Sequence, residues 1–240
     1  MNIADTLGTS FAVLVSLVLP LAALAYFIYK KNRYYLPFLL GAATFAVFQI
    51  LTRIPLLGVL NNQVWFINLT AFYPIIHLAF LAVTAALFEE LGRFAVMKLF
   101  MRRNQRWLDG ISFGLGHGGF EAIMLVGINA VAVLIIGGVA FGLVEGQGGM
   151  FWGGVERLLT IPVHVAWSVM VLQSVVQKRY RYLYIALFTH ALTDFGIVML
   201  ASFTTLSVLA VEGVLAVFTL AAIIYIIASK KSFRSHELNG

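Results

Sequence analysis

Imidazoles and carboxylates occur in pairs within otherwise apolar stretches of the sequence. His117 is followed four residues later by Glu121, and His190 is followed four residues later by Asp194. Residues four apart share one face of a helix, so each pair would present an imidazole with a carboxylate one turn away. Because both groups can exchange protons with water, the pattern is typical of hydrolytic acid–base chemistry.

Further ionisable residues lie in the apolar stretches, where each costs about 2.5–3.5 kcal/mol near a bilayer centre and is a functional candidate by default. The candidate catalytic residues are Glu89, Glu90, His117 and His190, and the candidate supporting residues are Arg93, Glu121, His164 and Asp194. We expect the others to be structural (His77), interfacial or paired (Arg53, Glu156 and Arg157) or wetted (Glu212).

The spacing of these residues also predicts their heights in the membrane. His117 and His190 each lie about eight residues inside an apolar stretch that begins at a basic cluster, which is ~12 Å at the helical rise of ~1.5 Å per residue. His164 would lie ~20 Å from the same face, at the level of Glu121, and Glu89 would lie near the two histidines. Four helices are therefore expected to bring polar side chains to one layer, nearer the inner leaflet.

The composition indicates the elements that position this layer. The chain has 240 residues, of which 61% are apolar and 11% charged, whereas soluble domains are about half apolar and a quarter charged. Apolar runs of ~20 residues predict membrane helices rather than barrel strands of ~10. We expect an all-α, polytopic transmembrane bundle in which residues 1–240 form a single integral-membrane domain, with the catalytic helices at about 70–200. The predicted spans are 7–29, 35–59, 66–97, 108–143, 154–177, 182–202 and 205–229.

The placement of basic residues predicts the topology. Most of the 16 lysines and arginines fall in four clusters, at 30–33, 93–106, 178–181 and 230–234. Seven spans with the N-terminus outside and the C-terminus in the cytoplasm put all four clusters on the inner side, as the positive-inside rule requires. The net charge of +6 then indicates contact with the lipid bilayer and not with nucleic acid. The absence of cysteine excludes thiol catalysis and cysteine-bound zinc.

Glycine predicts features of the central spans. The 108–143 stretch is too long for one straight span, so we expect a break, tilt or protrusion at Gly127, Gly137 and Gly138. The glycine-rich segment 145–154 is predicted to be an external loop. The glycines at 114–119 would allow close helix packing, and they would also let a substrate backbone approach His117.

Three short motifs resemble those of a family of intramembrane proteases. Glu89-Glu90-Leu-Gly-Arg93 resembles the E-E-x-x-[KR] motif of glutamate-type enzymes, with the spacing of the PrsW type. Phe113-Gly-Leu-Gly-His117 and His190-Ala-Leu-Thr-Asp194 are similar to the F-x-x-x-H and H-x-x-x-[ND] motifs of the CAAX-protease and bacteriocin-processing superfamily. The run GHGGFEA most resembles the YhfC-like branch of bacterial membrane proteins.

The resemblance implies an endopeptidase in a bacterial plasma membrane that acts on a membrane-embedded or lipid-anchored peptide. It favours metal-free glutamate chemistry with no cofactor. Under this hypothesis Glu89 is the general base, His117 helps to hold the water, and His190, positioned by Asp194, polarises the scissile carbonyl. Glu90 and Arg93 would form a pair that leaves Glu89 unengaged. Neighbouring residues differ by ~100° around a helix, so the sequence leaves open which glutamate faces inward.

Three alternatives remain at this stage. A zinc-dependent intramembrane metalloprotease could use the same residues, with zinc held by His117, His164, His190 and Glu89. A transporter would also bury histidines and carboxylates, but it should show a structural repeat that the sequence lacks. A non-catalytic membrane scaffold that binds a partner helix is the third alternative.

Overall fold

The computed structural model describes residues 3–30, 33–136 and 149–237, and the described part of the chain is helical and contains no β-strand. Seven helices are long and apolar enough to cross a membrane, which confirms the all-α bundle with seven spans. A short eighth helix, α3, lies between the second and third spans. The helices are α1 (Ile3–Tyr29), α2 (Tyr35–Leu60), α3 (Val64–Phe72), α4 (Pro74–Phe100), α5 (Trp107–Ile136), α6 (Gly149–Gln177), α7 (Arg181–Phe203) and α8 (Val208–Glu237).

The predicted span 66–97 is wrong in its outer part, because the chain breaks before α4. Tyr73 has φ −134° and ψ 58°, outside the helical region, and Pro74 occupies the first turn of α4. Proline cannot donate a backbone hydrogen bond, and its ring disfavours the helical conformation of the preceding residue. The break therefore separates α3 from α4.

The glycine-based predictions have different outcomes. The α-helix is interrupted by a π-helical turn at Ile123–Gly127 and continues to Ile136, so the irregularity at Gly127 is a π-helical turn and not the end of α5. Gly137, Gly138 and residues 145–148 lie outside the described residues. Residues 149–154 open α6 instead of forming a loop. A Cβ on Gly154 would lie 2.9 Å from the Cα of Ala12, so glycine lets α6 pack closely against α1.

The central helix of the bundle is α6. In its most apolar window 67% of the residues are buried, against 17–39% in the other spans. The main core cluster includes Trp167 and Leu172 of α6 together with Phe113 of α5 and Met97 of α4. Pro162 lies inside α6 without ending it. A helix buried on most sides is well placed to present polar side chains to several neighbours.

Glycine also sets the spacing of α5 against its neighbours. A Cβ on Gly116 would lie 1.9 Å from the carbonyl oxygen of Phe38 in α2, and one on Gly114 would lie 2.5 Å from the Cα of Val165 in α6. Both glycines therefore face neighbouring helices, which supports the packing role predicted for them. Close packing on both sides fixes the position of His117 between them.

The basic clusters gather at one end of the bundle. Arg33, after α1, donates from Nη2 to the backbone oxygen of Arg103 at 2.6 Å. Trp107 donates from Nε1 to the backbone oxygen of Ile226 in α8 at 3.0 Å. We call this end, which carries the connections after α1, α4 and α6, the basic end. The opposite end of the bundle is called the far end.

Candidate active site

Four helices bring polar side chains together at Glu89 in α4. Its Oε2 lies 3.0 Å from Nε2 of His117 in α5. The same oxygen lies 4.0 Å from Nδ1 of His164 in α6 and 4.0 Å from Nε2 of His190 in α7. The heights calculated from sequence spacing thus correspond to a real convergence. A carboxylate surrounded by three imidazoles is suited to moving protons to and from water.

The two adjacent glutamates have different environments. Glu89 lines a cavity, whereas Glu90 is fully buried. Glu90 forms a salt bridge with Arg93, and its Oε1 lies at hydrogen-bond distance, 2.7 Å, from Nδ1 of His190. Glu89 is therefore the inward-facing residue of the pair, which the sequence left open.

Arg93 does more than pair with Glu90. Its Nη2 lies 3.2 Å from Oε2 of Glu89 and 2.9 Å from Nδ1 of His164. The prediction that a Glu90–Arg93 pair leaves Glu89 unengaged is therefore wrong. The fully buried guanidinium joins both glutamates and one histidine, because it presents five donors in one plane.

His190 is held from three sides. Its Nδ1 lies 2.7 Å from Oε1 of Glu90, and its Nε2 lies 3.4 Å from Oδ2 of Asp194. The imidazole also stacks on the indole of Trp167. A ring fixed by two carboxylates and an aromatic surface has one defined orientation, with Nε2 towards Glu89.

The most compact group of metal-ligand types contains Glu121 instead of His190. Glu89, His117, Glu121 and His164 each offer one ligand atom, and these atoms lie within 4.8 Å of one another. The predicted zinc set contained His190 in place of Glu121. His190 lies outside this group, with its Nδ1 2.7 Å from Oε1 of Glu90 and its Nε2 3.4 Å from Oδ2 of Asp194.

Glu121 connects this group to Arg157. Its Oε1 accepts a hydrogen bond from Nη1 of Arg157 at 2.7 Å, and Arg157 also pairs with Glu156, as the sequence predicted. Its Oε2 lies 2.8 Å from Nε2 of His164, but the direction of approach does not make a hydrogen bond. Among the described residues this buried oxygen has no hydrogen bond of good geometry. A buried carboxylate oxygen in this position is available to a cation.

Carboxylates and guanidiniums are connected around Glu89. Hydrogen bonds and ion pairs link five carboxylates and three guanidiniums, one of the guanidiniums through the amide of Gln49. The side chains of Glu156 and Asp194 are 40% and 37% exposed, so the three buried carboxylates are matched in number by the three guanidiniums. The carboxylates are those of Glu89, Glu90, Glu121, Glu156 and Asp194, and the guanidiniums are those of Arg53, Arg93 and Arg157.

The polar group forms the floor of a cavity of about 380 Å³. On α4 and α7 the lining ends at Glu89 and His190, and from there it runs only towards the far end. Its outer walls include Leu78, Ile197 and Leu215, which are apolar, together with ionisable groups. The sequence placed the site nearer the inner leaflet, yet the cavity leads from the site to the end without the basic clusters.

Two residues of the site were missed or undervalued in the sequence. Gln49 of α2 donates from Nε2 to Oε1 of Glu89 at 2.5 Å, and an amide within an apolar span is the signal that could have identified it. Arg53 was expected to be interfacial or paired, but it lines the cavity. His77, by contrast, packs edge-on against Phe66 with ring centroids 5.1 Å apart, away from the site.

Comparison with known proteins agrees with the geometry. The sequence model of a family described as "YhfC intramembrane metalloprotease" matches residues 15–147 and 149–225. The chain is also 28% identical to the uncharacterized membrane protein YhfC of Bacillus subtilis (strain 168), over 92% of this chain and 94% of that protein. No solved structure matches the chain.

Proposed function

The chain belongs to the YhfC intramembrane metalloprotease family, and we propose that it hydrolyses peptide bonds of membrane-embedded or lipid-anchored peptides inside the bilayer. One observation carries the proposal. The buried group formed by Glu89, His117, Glu121 and His164 lies at the floor of a cavity between the helices. A water molecule and a peptide could meet there, screened from bulk solvent.

The same four residues suit a zinc ion. Two imidazoles and two carboxylates are ligand types that zinc accepts, and a catalytic zinc takes three protein ligands and leaves one position open. The buried Oε2 of Glu121 lies 2.8 Å from Nε2 of His164 without a well-formed hydrogen bond among the described residues, and this supports a cation between the two side chains.

We assign His117, Glu121 and His164 as the residues that would hold the ion. Zinc bound there would act as a Lewis acid toward the scissile carbonyl and the attacking water. Glu89 is left as the general base, since its Oε2 faces all three histidines. His190, fixed by Glu90 and Asp194, is placed to stabilise the developing oxyanion through Nε2–H.

Metal-free glutamate catalysis is the second candidate mechanism. It is favoured by the direct contact of 3.0 Å between Nε2 of His117 and Oε2 of Glu89, which a shared proton satisfies without a cation. In this version Glu89 again accepts the proton of water, and His117 holds that water. The two mechanisms differ in whether Glu89 and His117 share a proton or a zinc ion is held beside them.

The proposal is tested by comparing membrane-protein fragments from cells that carry the wild type, Glu89→Gln or His77→Ala. We expect a set of fragments that is absent with Glu89→Gln and retained with His77→Ala, because His77 lies outside the site. Identical fragment sets in all three strains would contradict proteolysis and favour a transporter or a binding scaffold.

Metal analysis of the purified protein distinguishes the two mechanisms. We expect close to one zinc per chain, with cleavage lost on chelation and restored by zinc. Full activity after complete removal of metal would exclude the zinc mechanism while leaving proteolysis intact.

A further inference from the structure

The membrane arginines differ in what they bind. Arg93 and Arg157 each contact two carboxylates. Arg53 has no carboxylate within 4.0 Å among the residues that the structure describes, although it lines the cavity. A guanidinium in a membrane helix is costly. The carboxylates that act on Arg53 through the cavity, those of Glu89 and Asp194, lie beyond ion-pair distance, so the guanidinium is open to an anionic ligand in direct contact.

Three of the five donors of Arg53 are already used. Nε donates to Oγ1 of Thr84 at 3.3 Å, Nη1 to Oε1 of Gln49 at 3.2 Å, and Nη2 to the backbone oxygen of Leu81 at 2.6 Å. A guanidinium has five N–H groups, so one on Nη1 and one on Nη2 remain. Two N–H groups on one guanidinium can donate to the oxygens of a carboxylate.

The local backbone supports a functional position. Gln49 and Arg53 both belong to a π-helical stretch, Ala46–Arg53, and such interruptions of an α-helix occur frequently at functional sites. Here the stretch turns both side chains towards α4, where Gln49 reaches Glu89. Arg53, Gln49 and Glu89 form one continuous hydrogen-bonded row along the cavity.

The length of this row limits the ligand. A single carboxamide, that of Gln49, separates Nη1 of Arg53 from Oε1 of Glu89. That gap corresponds to one or two residues of extended peptide at about 3.3–3.6 Å per residue. The wall beside the row is apolar at Leu78 and Ala82.

We infer that Arg53 binds a carboxylate of the substrate, one or two residues from the scissile bond, with apolar side chains between the two. This inference rests on the proposed peptidase function and defines its substrate class. The carboxylate is either the C-terminus of the peptide or an Asp or Glu side chain. Since the cavity runs from Glu89 towards the far end, the carboxylate enters from that side.

The test uses binding of three synthetic ligands to the full-length protein in lipid nanodiscs, measured by calorimetry. The ligands are N-dodecanoyl-Leu-Leu with a free carboxylate, the same compound as its C-terminal amide, and N-dodecanoyl-Leu-Glu amide. Charge-assisted hydrogen bonds predict that the free acid binds about 10- to 100-fold more tightly than the amide. Comparable affinity for the Glu-containing amide identifies a side-chain carboxylate as sufficient, and selective binding of the free acid identifies the C-terminus.

Variants then test whether Arg53 causes the preference for the free acid over the amide. In Arg53→Gln the acid and the amide should bind equally, at the affinity of the wild type for the amide, and Arg53→Lys should retain part of the difference. Arg181→Gln removes a charge near the basic end, where Nη2 of Arg181 contacts Tyr182, and it should retain the full preference. The affinity for the amide reports whether the cavity is intact in each variant.

Two results would overturn the inference. The first is that the wild type binds the acid and the amide equally, or does not bind the acid; this result requires no variant. The other is an acid preference that survives in Arg53→Gln. The calorimetric measurement records binding and does not depend on cleavage. A negative binding result therefore does not affect the fragment comparison that tests the proposed function, and a negative fragment comparison does not affect the binding result.

Discussion

The imidazole of His190 lies face to face on the indole of Trp167, with ring centroids 4.0 Å apart and planes within 4° of parallel. The indole is itself held, because Nε1 of Trp167 donates to Oγ1 of Thr189 at 3.0 Å. The plane of His190 is therefore set by packing, and its rotation within that plane by Glu90 and Asp194. Orientation of this kind is worth large factors in rate, since a small misplacement of a catalytic group is costly.

Replacement of Trp167 by leucine should reduce proteolysis and spare metal binding. We expect fragment release to fall about 10- to 100-fold, because His190 loses its stacking surface. The zinc content should stay at the wild-type value, since His190 lies outside the compact ligand group. Trp65→Leu is the control, as Trp65 is 55% exposed. Wild-type fragment yields with Trp167→Leu would show that the stack has no catalytic role.

Glu121 and His190 should differ in their effect on metal content. We expect Glu121→Gln to lower the zinc stoichiometry, because it removes a proposed ligand, and His190→Ala to leave it unchanged. Both variants should lose cleavage. Elemental analysis of the purified proteins is the measurement, and the reverse order of zinc contents would favour the ligand set predicted from the sequence.

Removal of the guanidinium of Arg93 should destabilise the fold. Arg93→Met leaves Glu89 and Glu90 buried without their shared cation, and breaking a buried ion pair in this way costs about 3–5 kcal/mol. Thermal denaturation in detergent should show a clearly lower midpoint. Arg181→Met, near the basic end and outside the buried network, should unfold at the wild-type temperature. An equal midpoint for both variants would mean that the buried glutamates are stabilised by other groups.

A buried and an exposed helical glycine should respond differently to alanine. Gly116→Ala would place a Cβ 1.9 Å from the backbone oxygen of Phe38, whereas Gly58 has no atom within 4 Å of such a Cβ. Overpacking costs about 1–3 kcal/mol, so Gly116→Ala should lower the denaturation midpoint. Gly58→Ala should leave it unchanged or raise it, because alanine favours helix. Equal effects would contradict the close contact of α2 and α5.

The cavity should be reachable from the outer side of the membrane. The chain has no cysteine, so a single cysteine can be placed at Ile197, which lines the cavity. If the basic end is cytoplasmic, as the positive-inside rule predicts, an impermeant thiol reagent should label Ile197→Cys in intact cells. Tyr184→Cys, near the basic end and 65% exposed in the wild type, should react only after permeabilisation. Labelling of Tyr184→Cys in intact cells, and of Ile197→Cys only after permeabilisation, would show that the protein has the opposite orientation in the membrane.

The sequence predicts the depth of each polar side chain along its helix better than the direction in which that side chain points. The rise per residue is nearly constant, so the convergence of Glu89, His117, His164 and His190 follows from counting along each span. Rotation about each helix axis depends on packing against neighbours, which a single sequence does not specify. The metal group therefore contains Glu121, where His190 was expected.

The missed part of the site has a different cause. Gln49 and Arg53 lie in a π-helical stretch, and an inserted residue changes the face that every later side chain presents. Regular helical spacing therefore gives the wrong neighbours for Arg53. Similarly, the break between α3 and α4 depends on the non-helical conformation of Tyr73. Pro74 favours that conformation but does not determine it, so the sequence alone did not predict the break.

Pro162 lies within α6 between two residues that Glu121 contacts. Proline has no N–H for the carbonyl of Leu158, so the helix bends most easily at that turn. Glu121 reaches α6 on both sides of it, with Oε1 on Arg157 and Oε2 beside His164. Glu121 of α5 therefore links the two segments of α6 on either side of Pro162, and a change in the helix angle at Pro162 would alter the distance between Arg157 and His164 in the cavity wall.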